Sequence, residues 1–139
     1  MSYYSDIAIG MSLQSFKDLW EREKEYVDKK GSLLDKIDKF VHRDDDSVFI
    51  FWKDIEWYRT PLARRIEDFL QDLVNEGERS YYFIRMGEEL DDIEKDWFVG
   101  KVETQKLDSI DVQRKIAIID EKQDDKIYSL PTFNSFKEF

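Results

Sequence analysis

Val48-Phe-Ile-Phe-Trp52 is five large apolar residues in succession, and the stretch continues through Lys53-Asp-Ile-Glu-Trp-Tyr58 as the densest apolar and aromatic segment of the chain. In an extended strand successive side chains point to opposite faces, so this run places bulk on both sides and needs cover on both. Periodicity alone does not separate it from a short buried helix. Its β-branched and aromatic content favours a strand in the middle of a sheet.

The segments on either side supply partners for such a strand. Tyr4 to Met11 alternates Ile7, Ile9 and Met11 with Asp6, Ala8 and Gly10, a period of two whose small members allow another layer to approach. Ser12 then offers an N-cap, and Leu13, Phe16, Leu19, Trp20 and Val27 form one helical stripe, predicting a helix to about Lys30 with Gly31 as its stop. Lys36 to Arg43 is weakly patterned and reads as an edge strand. Asp44-Asp-Asp-Ser47 reads as a turn, and Lys53-Asp54 as a bend or bulge. Thr60-Pro61 opens a second helix, because Thr caps and Pro at the first helical position lacks an amide that would be unsatisfied anyway. Leu62, Ile66, Phe69, Leu70, Leu73 and Val74 are its apolar stripe, and Gly77 its end. Ser80 to Gly87 is a further strand.

The order strand, helix, strand, strand, helix, strand predicts an α+β fold, specifically a ferredoxin-like βαββαβ antiparallel sheet with both helices on one face. In that arrangement the first and third strands are central, in agreement with the run at Val48 to Trp52. Beyond Glu94, Lys101 to Asp111 reads as a polar loop or surface segment, and Val112 to Asp120 predicts a further strand at Ile116-Ala-Ile-Ile119. Residues 1–120 are expected to form a single domain. Residues 121–139 are read as a C-terminal tail, packing on the domain or partly flexible, with Ile127, Tyr128, Leu130, Phe133, Phe136 and Phe139 in a polar context.

Composition bounds the classes of function. A chain of 139 residues, 41% apolar, fits one domain and buries roughly two-thirds of its unfolded surface without a staple. The absence of cysteine excludes disulfides and thiolate metal sites. Met1-Ser-Tyr-Tyr-Ser-Asp6 carries no basic region followed by an apolar core, and no stretch approaches the length of a membrane span, so a cytoplasmic protein is expected. A formal charge of −10 repels phosphate backbones and anionic membranes and favours a cationic partner.

Glu88-Glu-Leu-Asp-Asp-Ile-Glu-Lys-Asp96 is the densest charge feature, directly after a strand. As a functional element it is either a protein-contact surface through Glu88, Glu89, Asp91, Asp92, Glu94 and Asp96 or, with Asp44 to Asp46, a divalent-metal site. It lacks the calcium-loop spacing, and a solvated loop or short acidic helix is its simplest reading. Arg59, Arg64 and Arg65 near the start of the second helix form the one basic spot, able to hold a phosphate or carboxylate, or to pair with nearby acids. His42 has no partner for a nucleophilic triad, and five glycines form no phosphate loop. Phe49 and Phe51 occupy the strand that stacks bases in RNA-binding sheets, but the basic glycine-aromatic signature of that strand is missing.

Tyr4-Ser-Asp-Ile-Ala-Ile9, Trp52-Lys-Asp-Ile-Glu-Trp-Tyr58, Ile66-Glu-Asp-Phe-Leu70 and Tyr82-Phe-Ile-Arg-Met-Gly-Glu-Glu-Leu-Asp-Asp-Ile-Glu94 resemble segments of a group of small acidic proteins of bacteriophages and prophages whose function is not established. The resemblance spans Tyr4 to Glu94 and carries over no catalytic residue. It implies an accessory role, such as antagonism of a host system. The expectation is therefore a non-enzymatic interaction module without cofactor, binding a host or phage protein that has a basic surface. The alternatives are a divalent-metal-dependent hydrolase of phosphate esters, using the acidic segment with Arg64 or Arg65, and a structural homo-oligomer.

Overall fold

A computed structural model describes residues 3–26, 36–58, 60–89, 91–101, 107, 110–113, 115–119 and 125–129. Its elements are β1 (Tyr4–Ser12), α1 (Leu13–Glu23), β2 (Lys39–His42), β3 (Ser47–Glu56), α2 (Pro61–Glu76), β4 (Tyr81–Met86), β5 (Ile93–Phe98), β6 (Ile110–Gln113), β7 (Lys115–Ile118) and β8 (Lys126–Ser129). Six strands form one sheet in the order β5-β4-β1-β3-β2-β8, every neighbouring pair antiparallel, and β6 and β7 form a separate hairpin.

The apolar run of β3 lies where its pattern requires, between β1 and β2 and covered on both faces. Val48, Ile50 and Trp52 join Ile7, Ile9, Met11, Phe40, Tyr81 and Phe83 in a core shared with both helices. Phe49 and Phe51 point the other way, with Ala8, Val41 and Ile84, beneath Ile116 and Ile118 of the hairpin. The face left open by the sequence is thus closed by residues of β7, and Gly10 makes room for the closure. A methyl group at Gly10 would come within 2.9 Å of the Phe49 ring and 3.1 Å of the Leu107 carbonyl oxygen.

Local signals set the helices. The Ser12 hydroxyl accepts from the Ser15 amide at 3.1 Å at the start of α1, and the Thr60 hydroxyl accepts from the Ala63 amide at 3.2 Å at the start of α2. Gly77, at φ 76°, closes α2 in the left-handed region, its amide donating to the Leu73 carbonyl at 3.0 Å. α1 stops earlier than its stripe suggested, passing into a 3-10 turn over Lys24–Tyr26; Val27, Lys30 and Gly31 lie outside the described residues. The bulge falls at Lys53-Asp54. Ser5 pairs with Ile55 and Ile7 with Trp52, so β3 carries one extra residue, Asp54 takes φ 52°, and its amide donates to Asp6 Oδ1 at 3.0 Å.

Two expectations for strands change. β2 is not an edge: β8 pairs along its outer side from Lys39↔Ser129 to His42↔Lys126, which explains why Phe40 and Val41 are fully buried. Residues 126–129, placed in the tail by sequence, are therefore part of the sheet; Leu130, Phe133, Phe136 and Phe139 lie outside the described residues. The acidic segment is neither loop nor helix over its second half. Ile93–Phe98 forms β5, paired with β4 from Met86↔Ile93 to Tyr81↔Phe98, and among the described residues it ends the sheet.

Candidate functional site at the β4–β5 end of the sheet

β4 and β5 each present two faces. On the helix side stand Tyr81, Phe83 and Arg85 of β4, opposite Phe98, Asp96 and Glu94 of β5; on the hairpin side Tyr82, Ile84 and Met86 stand opposite Trp97, Lys95 and Ile93. Alternation therefore delivers a guanidinium into the helix-side layer, where burial demands partners. Arg85 has them. It grips Asp92 with two nitrogens, at 2.7 Å to Oδ1 and 3.1 Å to Oδ2, and donates to Glu94 Oε1 and to Ser5 Oγ, each at 3.1 Å. Its guanidinium also lies 5.0 Å from the centre of the Tyr58 ring.

The network draws in the N-terminus. The Tyr3 hydroxyl donates to Asp92 Oδ2 at 2.5 Å, and the Tyr4 amide donates to Glu88 Oε1 at 3.0 Å. Tyr3 packs against Tyr58 at 5.7 Å between ring centres. Gly87 is the residue that lets the turn close here, since a methyl group on it would overlap the Asp92 carboxylate and the Tyr3 hydroxyl. The Arg85 hydrogen bonds, aided by Tyr3, hold the Asp92 carboxyl down at about 2, and the same bond to Asp92 raises the Tyr3 phenol. Farther along, the Tyr81 hydroxyl donates to Asp96 Oδ2 at 2.7 Å; burial first, and then this bond, push its ionisation upward.

The six acids singled out from sequence are thus brought to one end of the sheet, with unequal roles. Asp92 and Glu94 neutralise Arg85, Asp96 holds Tyr81, and Glu88 caps the N-terminal strand's first amide. Glu88, Glu89, Asp91, Glu94 and Asp96 remain exposed to solvent. Beside them on the hairpin side lie exposed apolar groups: Trp97, 60% accessible and stacked at 6.2 Å on Tyr82, with Ile93 and Val99.

The metal-site expectation does not assemble. Asp44 to Asp46 occupy the β2–β3 turn, beside the Ser12 end of β1, whereas the β4–β5 turn lies beside its Tyr4 end. The nine-residue β1 separates the two by roughly 25 Å. Among the described residues no three acidic or histidine side chains group as metal ligands would. Of the basic spot, two of the three arginines are described. Arg59 lies outside the described residues, and Arg65 reaches α1, where it donates to both oxygens of the buried Glu23 at 2.8 and 3.2 Å. Arg64 is exposed in an open cleft of about 720 Å³ that it shares with Tyr58, Thr60, Glu67 and Glu94. His42 pairs with Asp46, Nε2 to Oδ1 at 2.9 Å, at the β2–β3 turn. Phe49 and Phe51, the candidate base-stacking residues, are buried under the hairpin.

Arg85, Tyr3, Tyr81 and Trp97 escaped the sequence reading. For Arg85 a signal existed: in Tyr81-Tyr-Phe-Ile-Arg-Met86 it occupies the same phase as Tyr81 and Phe83, so a charge on the buried face was foreseeable. No protein-family model, no curated protein and no solved structure matches this chain.

Proposed function

We propose that this protein is a non-enzymatic interaction module that engages a basic protein surface through the β4–β5 end of its sheet, on a ferredoxin-like βαββαβ core. The core reading is supported by the strand order β4-β1-β3-β2, with the first and third strands central and α1 and α2 sharing one core with the sheet. The observation that carries the functional reading is the joint presentation of five exposed carboxylates and an exposed tryptophan on a turn and strand anchored by buried Arg85. Acids held on a fixed scaffold lose little entropy on meeting cations, and they steer the encounter over a distance set by salt. In keeping with the resemblance to bacteriophage proteins, the partner is a host or phage protein, and the role an accessory one in the cytoplasm.

The test is capture of partners from a host lysate by the intact chain at low and high salt, alongside a variant with Glu88, Glu89 and Asp91 reversed to lysine. These three are chosen because reversal of Asp92 would also break the Arg85 network. Complexes that disappear with salt and with the reversal support the reading. The same complexes surviving both would overturn it.

A further inference from the structure

We infer that the outer edge of β5 is a docking site for an extended peptide segment whose residues alternate basic and apolar, added to the sheet as a further strand; this rests on the interaction-module reading and names its mode of binding. β5 ends the sheet among the described residues, and five of its six side chains are exposed. An edge of this kind offers a row of main-chain donors and acceptors to an incoming strand, while its alternating side chains select the sequence of that strand.

The selection is written on the two faces of β5. On the helix side Glu94 and Asp96 stand two residues apart, so a paired strand meets them with consecutive side chains of one face, and lysine or arginine fits there. On the hairpin side Ile93 and Trp97 flank Lys95, with Val99, 77% accessible, beyond them, so the other face of the incoming strand meets apolar surface. Hence the alternation: basic toward the helix side, apolar toward the hairpin side. A whole-molecule charge of −10 favours the approach of such a segment.

The same residues disfavour the registers that align most of β5 with a second copy of itself. A two-fold antiparallel pairing of β5 with itself must centre on a residue. Centred on Lys95 it sets Lys95 against Lys95 and Glu94 against Asp96 twice; centred on Asp96 it sets the two Asp96 carboxylates together. Like charges directly opposite one another destabilise a strand pair, so the two registers that align most of β5 with itself are disfavoured, whereas a cationic strand meets Glu94 and Asp96 with opposite charge.

The experiment uses the full chain, labelled for NMR, titrated with a synthetic peptide in which lysine alternates with valine. Three comparisons accompany it: the same peptide N-methylated throughout, which keeps the charge and cannot pair main chain; a peptide with glutamate in place of lysine; and the protein variant Glu94→Gln with Asp96→Asn. The expected result is slowed amide exchange and shift changes centred on residues 93–98, binding at least tenfold weaker for the N-methylated peptide, none for the glutamate peptide, and roughly fivefold weaker binding by the double variant. Equal binding of the N-methylated and unmodified peptides overturns strand addition and leaves charge-driven binding standing. Absence of any lysine–valine binding overturns strand addition as well, and the lysate experiment with Glu88, Glu89 and Asp91 reversed then decides the broader reading independently.

Discussion

Arg85 and Asp92 close the β4–β5 turn upon themselves: seven residues apart in sequence, they meet through two nitrogens and two oxygens, with Arg85 buried and Asp92 half-buried. A buried guanidinium must be neutralised, and the turn that neutralises it is also the one that presents the exposed acids. Shape at this end of the sheet and charge at its surface therefore depend on one pair.

Acid stability reports on that pair. The Asp92 carboxyl is lowered from 3.8 to about 2 in the folded chain, chiefly by the Arg85 hydrogen bonds and then by Tyr3. A group whose folded value is depressed contributes stability that is complete above its unfolded value and is lost as pH falls through the folded one. The contribution should thus be present above about pH 4 and vanish between about 4 and 2. Asp92→Asn should lower stability at neutral pH by about 2 kcal/mol, the worth of a hydrogen bond to a charged group, and flatten the stability curve over that acid window. Urea unfolding at a series of pH values measures both effects; parallel curves for the two proteins would disprove the assignment.

Gly87→Ala should disturb the same network from the backbone, because its methyl group would overlap Asp92 and Tyr3. The expected cost is about 1–3 kcal/mol, typical of overpacking. The disturbance should appear as altered NMR signals of Tyr3, Arg85 and Asp92, with α1 and α2 unaffected. An unchanged Tyr3 signal would contradict it.

The closure of the hairpin face predicts a contrast between two glycines. Gly10→Ala presses on the Phe49 ring and the Leu107 carbonyl, whereas Gly77→Ala meets no atom nearer than 3.9 Å and is opposed only by its φ of 76°. Gly77→Ala should cost about 1 kcal/mol. Gly10→Ala should cost about 1–3 kcal/mol and loosen the β6–β7 layer, seen as faster exchange at Ile116 and Ile118. Both values come from denaturant unfolding, and equal exchange at Ile116 in Gly10→Ala and in the unmutated chain would show that the hairpin does not rest on this contact.

What the sequence made legible was local or strongly patterned. Thr60-Pro61 and Gly77 bound α2 because capping depends on adjacent residues, and the unbroken run at Val48 to Trp52 marked a strand covered on both faces. β5 was hidden because six acids in nine residues mask the alternation of Ile93, Lys95 and Trp97 against Asp96 and Phe98. β8 was hidden for another reason. Four residues pair with a strand more than 80 positions earlier, and nothing in Lys126-Ile-Tyr-Ser129 names its partner. Glu23 was the overlooked parallel to Arg85: it follows Phe16 and Leu19 at helical spacing, and a carboxylate on an apolar stripe implies a cation reaching in to neutralise it, here the part-exposed Arg65.

β8 also supplies the clearest test of how the far edge of the sheet is held. Arg43 and Asp125, both nearly inaccessible, form an ion pair at 3.2 Å between Nε and Oδ1 immediately before β8, and the Arg43 guanidinium lies 5.9 Å from the centre of the Phe49 ring. Removing one partner of a buried pair costs about 3–5 kcal/mol, whereas replacing both with apolar groups is often neutral. Arg43→Met alone should therefore destabilise the chain by roughly 3 kcal/mol and release β8, exposing the outer edge of β2 so that amides of residues 39–42 exchange faster. Arg43→Met combined with Asp125→Leu should recover most of the loss, because neither charge then remains to be solvated. Denaturant unfolding of the two single variants and the double variant gives the coupling, and additive losses would show that the pair does not hold β8 in the sheet.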